Sequence, residues 1–134
     1  MNLKSIIVDT KVVEVDFEGI EGFKVKIAAI SRELSRKIRN ESEITKIDPK
    51  LKMPVKELDQ DKFVEKFAEA AIKGWHGLQY KHLKELVLVD ESQIEDLEAE
   101  VEYSLENVVE LIKHSQMFDS WVNEQVFSLE RFRG

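Results

Sequence analysis

The chain has no cysteine, only two prolines and five glycines, and no long apolar run. Without cysteine there is no disulfide, thiolate metal site, iron–sulfur cluster or cysteine nucleophile. Without a stretch of ~20 apolar residues there is no membrane-spanning helix. The longest apolar run near the N-terminus, Ile6-Ile7-Val8, is too short for a signal-peptide core, so a cytoplasmic protein with no membrane partner is expected. Clustered basic charge is also missing. Arg32, Arg36, Lys37 and Arg39 are diluted by Glu33 and Glu41, the pattern of a solvated helix face and not of a nucleic-acid arm.

Chemistry-bearing patterns are equally scarce. The three histidines, His76, His82 and His114, form no His-Glu-x-x-His pair. His82 and Glu85, at i and i+3, suit a surface hydrogen bond better than a metal. No Gly-x-Gly-x-x-Gly, no Walker lysine and no Gly-x-Ser-x-Gly elbow is present. No nucleophile–base pair or ligand set presents itself, so no catalytic residue, metal or cofactor is assigned and an enzyme is not expected.

What is present fits one globular domain over residues 1–134, with 43% hydrophobic and 35% charged residues. The net charge of −7 is uneven, because residues 90–106 hold eight acids and no base. That segment reads as a charged, solvated linker, or as an electrostatic lure for a basic partner.

The opening third, residues 1–30, is expected to be β. Val13, Val15 and Phe17 alternate with polar neighbours, as do Phe23, Val25, Ile27 and Ala29. Gly19 and Gly22 lie between these runs, where a hairpin needs them. Pairing Phe17 with Phe23 places Val15 against Val25 and Val13 against Ile27 on one face. On the other face it sets Asp16 against Lys24 and Glu14 against Lys26. Ser5–Asp9 is a candidate third strand. Residues 31–58 read as a helix capped by Ser31, then an extended connector through Pro49 and Pro54.

Residues 59–134 are expected to be helical. One helix starts near Asp59 and ends at a Gly74 cap, followed by a tight turn at Trp75-His76-Gly77. A shorter helix follows from about Gln79 to Leu86, and the acidic segment 90–100 is a loop. Ser104 and Ser115 cap the last two helices, the second carrying the stripe Phe118, Trp121, Val122, Gln125, Val126, Leu129 and Phe132. The expected fold is α+β, an N-terminal antiparallel β-hairpin or small sheet followed by four to five α-helices.

Phe127 lies off the main stripe of that last helix, which makes its apolar band wider than one face. A helix that buries against its own core and also meets a partner has this pattern. Trp75, Phe118, Trp121, Val122 and Phe127 are therefore the candidate partner-binding residues, lining a groove for an apolar helix.

Three blocks carry a resemblance to a family. They are the run Ala70 to Leu78 with Tyr80, Leu83, Glu85 and Leu86; the run Val101 to Leu111; and Phe118 to Glu124, continuing to Leu129 and Phe132. Their order and spacing resemble the tail assembly chaperones of long-tailed phages, over roughly residues 60–134. The resemblance implies a non-enzymatic protein that binds the tape measure protein, keeps that apolar helical chain soluble and helps recruit tail tube subunits. It further implies action in the host cytoplasm, absence from the finished virion and, in some phages, a longer frameshifted form. Self-assembly into a ring or spiral is compatible with the class. The alternative is another phage morphogenesis component, a tail-completion or head–tail joining protein, that stays in the particle.

Overall fold

The structure, a computed structural model, describes residues 2–133. Its order is α1 (Leu3–Ile6), β1 (Val12–Asp16), β2 (Lys24–Ala28), α2 (Arg32–Glu41), β3 (Glu43–Ile47), β4 (Pro54–Leu58), α3 (Gln60–Ala71), β5 (Ile72–His76), α4 (Leu105–His114), α5 (Gln116–Val126) and α6 (Leu129–Phe132). Short 3-10 turns occupy Tyr80–Glu85 and Glu91–Gln93. The fold is α+β, with an N-terminal hairpin, small antiparallel sheets and several helices. Among the described residues no helix is long and apolar enough to cross a membrane.

The first hairpin forms in the expected register. Val13 lies opposite Ile27, Val15 opposite Val25, and Asp16 opposite Lys24. The Phe17 N–H donates to the Phe23 carbonyl at 2.9 Å, and the two rings stand 5.5 Å apart. Lys24 and Asp16 pair at 3.7 Å on the solvated face. Gly19 and Gly22 both take positive φ, 100° and 86°, which turns the chain and folds Ile20 into the core.

The third strand of this sheet is β5, which pairs antiparallel with β2 and gives the order β1-β2-β5. Ser5–Asp9 is not that strand: Leu3–Ile6 is a single helical turn capped by Asn2, with no buried residue. Nor does Gly74 cap a helix. α3 ends at Ala71 and passes straight into β5, so Trp75 lies in a strand and not in a turn. The pairing shifts between Lys26 and Ile27, leaving Lys73 as an extra residue on β5. That bulge lets Ile72 and Trp75, three residues apart, both face inward. Their spacing continues the α3 pattern of Phe67, Ala68 and Ala71, so a strand here carries the periodicity of a helix.

The Pro49–Pro54 region is not a single extended connector. β3 and β4 pair along their length, from Glu43 with Leu58 to Ile47 with Pro54. Asp48 closes the loop: its Oδ1 accepts the N–H groups of Lys50 and Leu51, and Lys52 adopts φ 53°. No residue of this second hairpin is buried, so it stands off the core as an arm. Its base is pinned where the Asp59 N–H donates to the Ser42 carbonyl at 2.9 Å.

Four helices begin where expected, three of them at the expected serine caps. Ser31, Asp59, Ser104 and Ser115 each accept a backbone N–H with the side chain. Ser115 ends α4 and starts α5, a one-residue corner that is almost fully buried. The segment expected as a helix over Gln79–Leu86 tightens into a 3-10 turn, where the Gln79 N–H donates to His82 Nδ1 at 3.1 Å. The last helix breaks at Phe127 and Ser128 and restarts as α6.

One core cluster joins these elements, with helices over a single face of the three-stranded sheet. Val25 and Ile27 of the central strand, with Phe23 just before it, are fully buried in one cluster with Ile72, Val108, Phe118 and Val122. Gly77, at φ 84°, lets the chain leave β5 beneath the first hairpin's turn; a Cβ there would sit 1.9 Å from the Gly22 carbonyl oxygen. Gly77→Ala is therefore expected to destabilise the protein by roughly 2–4 kcal/mol, read from urea unfolding midpoints. Gly74→Ala, where the added carbon meets only the flexible Lys26 stem at 3.3 Å, should cost much less.

Candidate docking surface

Five aromatic rings meet under the first hairpin. Phe17, Phe23, Trp75, Phe118 and Trp121 form a connected cluster with centroid separations of 4.9 to 6.5 Å. Trp75 is 8% exposed and stands edge-on to Phe23, Phe118 and Tyr103. Its Nε1 donates to the Val101 carbonyl at 2.9 Å, and the Tyr103 hydroxyl donates to the Ile72 carbonyl at 2.9 Å. These bonds strap the segment after the acidic loop onto β5. Burial, with Glu69 nearby, raises the Tyr103 hydroxyl above its usual pKa, so it stays protonated as a donor.

The five residues expected to line a partner groove do not form one. Phe118 and Val122 are fully buried and Trp75 nearly so, because the α5 stripe faces the sheet. These three support a surface from beneath and do not present one. Trp121 is half-buried, its ring 4.9 Å from Phe17 and 6.2 Å from Phe118. Phe127 lies at the far end of α5, 53% exposed, with its ring 6.5 Å from Phe67. Two separate surface aromatics remain, both on α5 or its cap.

The wider apolar surface surrounds Phe127. A groove of 350 Å³ runs between the chain entering β1 and the C-terminal helices, lined by Val8, Ile30, Val126, Phe127, Leu129 and Phe132. The Ile30 N–H donates to the Val126 carbonyl at 3.0 Å and fixes the groove floor. Of its lining residues Leu129 is 75% exposed and Val8 is exposed too; Leu3, Ile6 and Ile7, earlier in the chain, are also exposed. In the sequence Ile6-Ile7-Val8 resembles strand material and Leu129 continues the α5 stripe, so neither signals exposure. Ile47, Leu51 and Met53 on the β3–β4 arm, likewise unsignalled, are all exposed.

Several ionisable groups are engaged in pairs. His76 Nε2 lies 3.3 Å from Glu14 Oε2, and His114 Nε2 lies 3.3 Å from Glu110 Oε2. Arg36 pairs with Glu33 one helical turn away; this pairing lowers the carboxyl and raises the guanidinium, on a fully solvated face. Asp119 is raised by burial, offset in part by the Asn123 amide donating to its Oδ1 at 3.1 Å. In the acidic segment Asp90 and Asp96 accept local backbone N–H groups. Glu98 pairs with Lys81, and Glu100 accepts the Gly77 N–H. Half of that segment's charge thus shapes its own loop.

A three-stranded sheet with helices on one face, an exposed hairpin arm and apolar grooves at the helix ends defines a small α+β domain whose conspicuous surface features are apolar. The family model described as YdaY prophage protein matches residues 19–133, and the chain belongs to that family, which makes it a phage-derived protein. No curated protein and no solved structure matches it.

Stability measurements separate supporting residues from presenting ones. Phe118→Ala should cost about 3–5 kcal/mol in a denaturant titration, whereas Phe127→Ser and Leu129→Ser should each change stability by less than about 1 kcal/mol. Gln125 is buried with an Oε1 that has no hydrogen-bond partner among the described residues. Gln125→Leu is therefore expected to raise stability by about 1 kcal/mol, seen as a higher denaturation midpoint.

Proposed function

We propose that this protein is a non-enzymatic phage tail assembly chaperone that binds the tape measure protein and helps bring tail tube subunits to it in the host cytoplasm. The observation that carries this reading is the exposed apolar surface around Phe127 and Leu129, beside a 350 Å³ groove. Apolar residues exposed together on a small protein mark a surface made to be covered. A partner helix would set anchors at helical spacing along such a groove, a mode suited to shielding an apolar helical chain from aggregation. Phage origin and the order of the aromatic blocks in residues 60–134 support the same reading. Trp121 and Phe127 remain the candidate contact residues, with Trp75, Phe118 and Val122 holding α5 in place.

Co-expression with the phage's tape measure protein tests this. The two proteins should co-purify, and a Phe127→Asp/Leu129→Asp variant should lower recovery of the partner at least tenfold while its thermal transition stays near that of the parent. Unchanged recovery by that variant would move the contact elsewhere; no co-purification by the parent would end the proposal. Detection of the protein in purified particles by mass spectrometry would favour a retained morphogenesis component instead.

A further inference from the structure

The two edges of the three-stranded sheet are finished differently. The outer edge of β5 is covered by the segment after the acidic loop. The Ile72 carbonyl accepts from the Tyr103 hydroxyl, the Gly77 N–H donates to Glu100, and Gln79 bridges to Glu100. β1 forms the other edge, and among the described residues no strand pairs with its outer side. The Phe17 N–H donates to the Phe23 carbonyl, and the Lys11 carbonyl accepts from the Ala29 N–H. Bonding direction alternates along an antiparallel pair, so Val13 and Val15 also bond toward β2. The N–H and C=O groups of Val12, Glu14 and Asp16 therefore point away from β2, a row spaced to receive another strand.

Side chains of two kinds flank this edge. On the helix-covered side lie Val13, Val15 and Phe17, with the Trp121 ring 4.9 Å from Phe17. Val13 and Trp121 are half-buried, so this side is apolar and only partly covered. On the open side lie Val12, which is 49% exposed, Glu14 and Asp16. Residues 9–18 hold the acids Asp9, Glu14, Asp16 and Glu18 against the single base Lys11. Glu14 reaches back across the sheet to His76 at 3.3 Å, and Asp16 to Lys24 at 3.7 Å. Lys24 and Lys26 stand on β2. A strand added outside β1 thus has the acids as direct neighbours and those lysines one strand further, ~10 Å away. Two β1 edges brought together would set acid against acid, which argues against a second copy as the occupant.

We propose that the β1 edge accepts an extended segment of another protein as a fourth, antiparallel strand, one in which basic and apolar side chains alternate. Its lysines or arginines stand against Glu14 and Asp16 on the open side, continuing the alternation of charge that β1 and β2 begin. Its apolar side chains lie on the other side, against Val13, Val15 and Trp121. Main-chain bonds to Val12, Glu14 and Asp16 supply the affinity, and the alternating side chains supply the selectivity. The docking residues Val12–Phe17 and Trp121 share none with the lining of the Phe127 groove.

The end-capped peptide Lys-Val-Lys-Val-Lys-Val-Lys, added to the full chain, tests this. Calorimetry at ~50 mM NaCl should give a dissociation constant of ~1 mM or tighter. Amide exchange followed by NMR should slow severalfold at Glu14 and Asp16 on saturation. An added strand bonds along one of its edges. N-methylating alternate peptide residues on that edge should abolish binding, and N-methylating those on the other edge should leave it. This comparison needs no protein variant and keeps the peptide's charge. Asp16→Lys with Glu18→Lys should weaken binding roughly tenfold with an unchanged thermal transition, since both side chains are exposed. Absence of binding, equal binding of the two N-methylated peptides, or indifference to the charge reversal would each overturn the proposal. So would protection of the Glu14 and Asp16 amides by dimerisation of the chain alone, which would give the edge to a second copy. None of these outcomes involves the Phe127 groove or the tape measure protein, so failure here leaves the chaperone reading standing.

Discussion

The inner face of β2 is where the separate parts of the molecule meet. Phe23, Val25 and Ile27 lose all contact with water, with β1 on one side, β5 on the other, and α3 and α5 above. A strand paired on both edges and covered on one face leaves its alternate residues no choice of side, because a one-residue slip would put Phe23 and Ile27 into solvent. That constraint sets the first hairpin's register. It also sets the place where β5 must join, 45 residues or more along the chain from its partner residues. The Lys73 bulge and the Gly77 turn both serve this junction, one aiming Ile72 and Trp75 inward and the other clearing the Gly22 carbonyl.

Once β2 has organised the core, the aromatic cluster has little freedom left. Phe118 and Val122 are drawn onto the sheet, which turns the other faces of α5 outward at Trp121 and, past the helix end, at Phe127. The apolar residues left uncovered fall at the margins: the N-terminal arm and α6, the β3–β4 arm, and the Leu88 region. The proposed helical partner uses the first of these margins, the groove beside Phe127.

Much of the local structure was legible in the residues. The alternation in Val13–Phe17 and Phe23–Ile27, with opposite charges on the outer face, specified the hairpin and its pairing. Ser31, Asp59, Ser104 and Ser115 announced four helix starts, since each offers an oxygen to backbone N–H groups that no helix can satisfy internally. The candidate site was less legible. Trp75, Phe118 and Val122 look alike as core residues and as anchors, because the same apolar side chain serves either purpose. Only Phe127, off the stripe, carried a sign of exposure that the structure bears out.

Near-neighbour chemistry settled which segments turn, cap and alternate, because those preferences act over a few residues and need no partner far away. Tertiary structure alone decided that Ile72–His76 is a strand: its periodicity is helical, and only the open edge of β2 makes an extended chain the better state. It likewise decided which aromatics face water. Burial is a property of what lies on top of a residue, and the sheet that covers Trp75 and Phe118 is assembled from chain that lies far away in sequence.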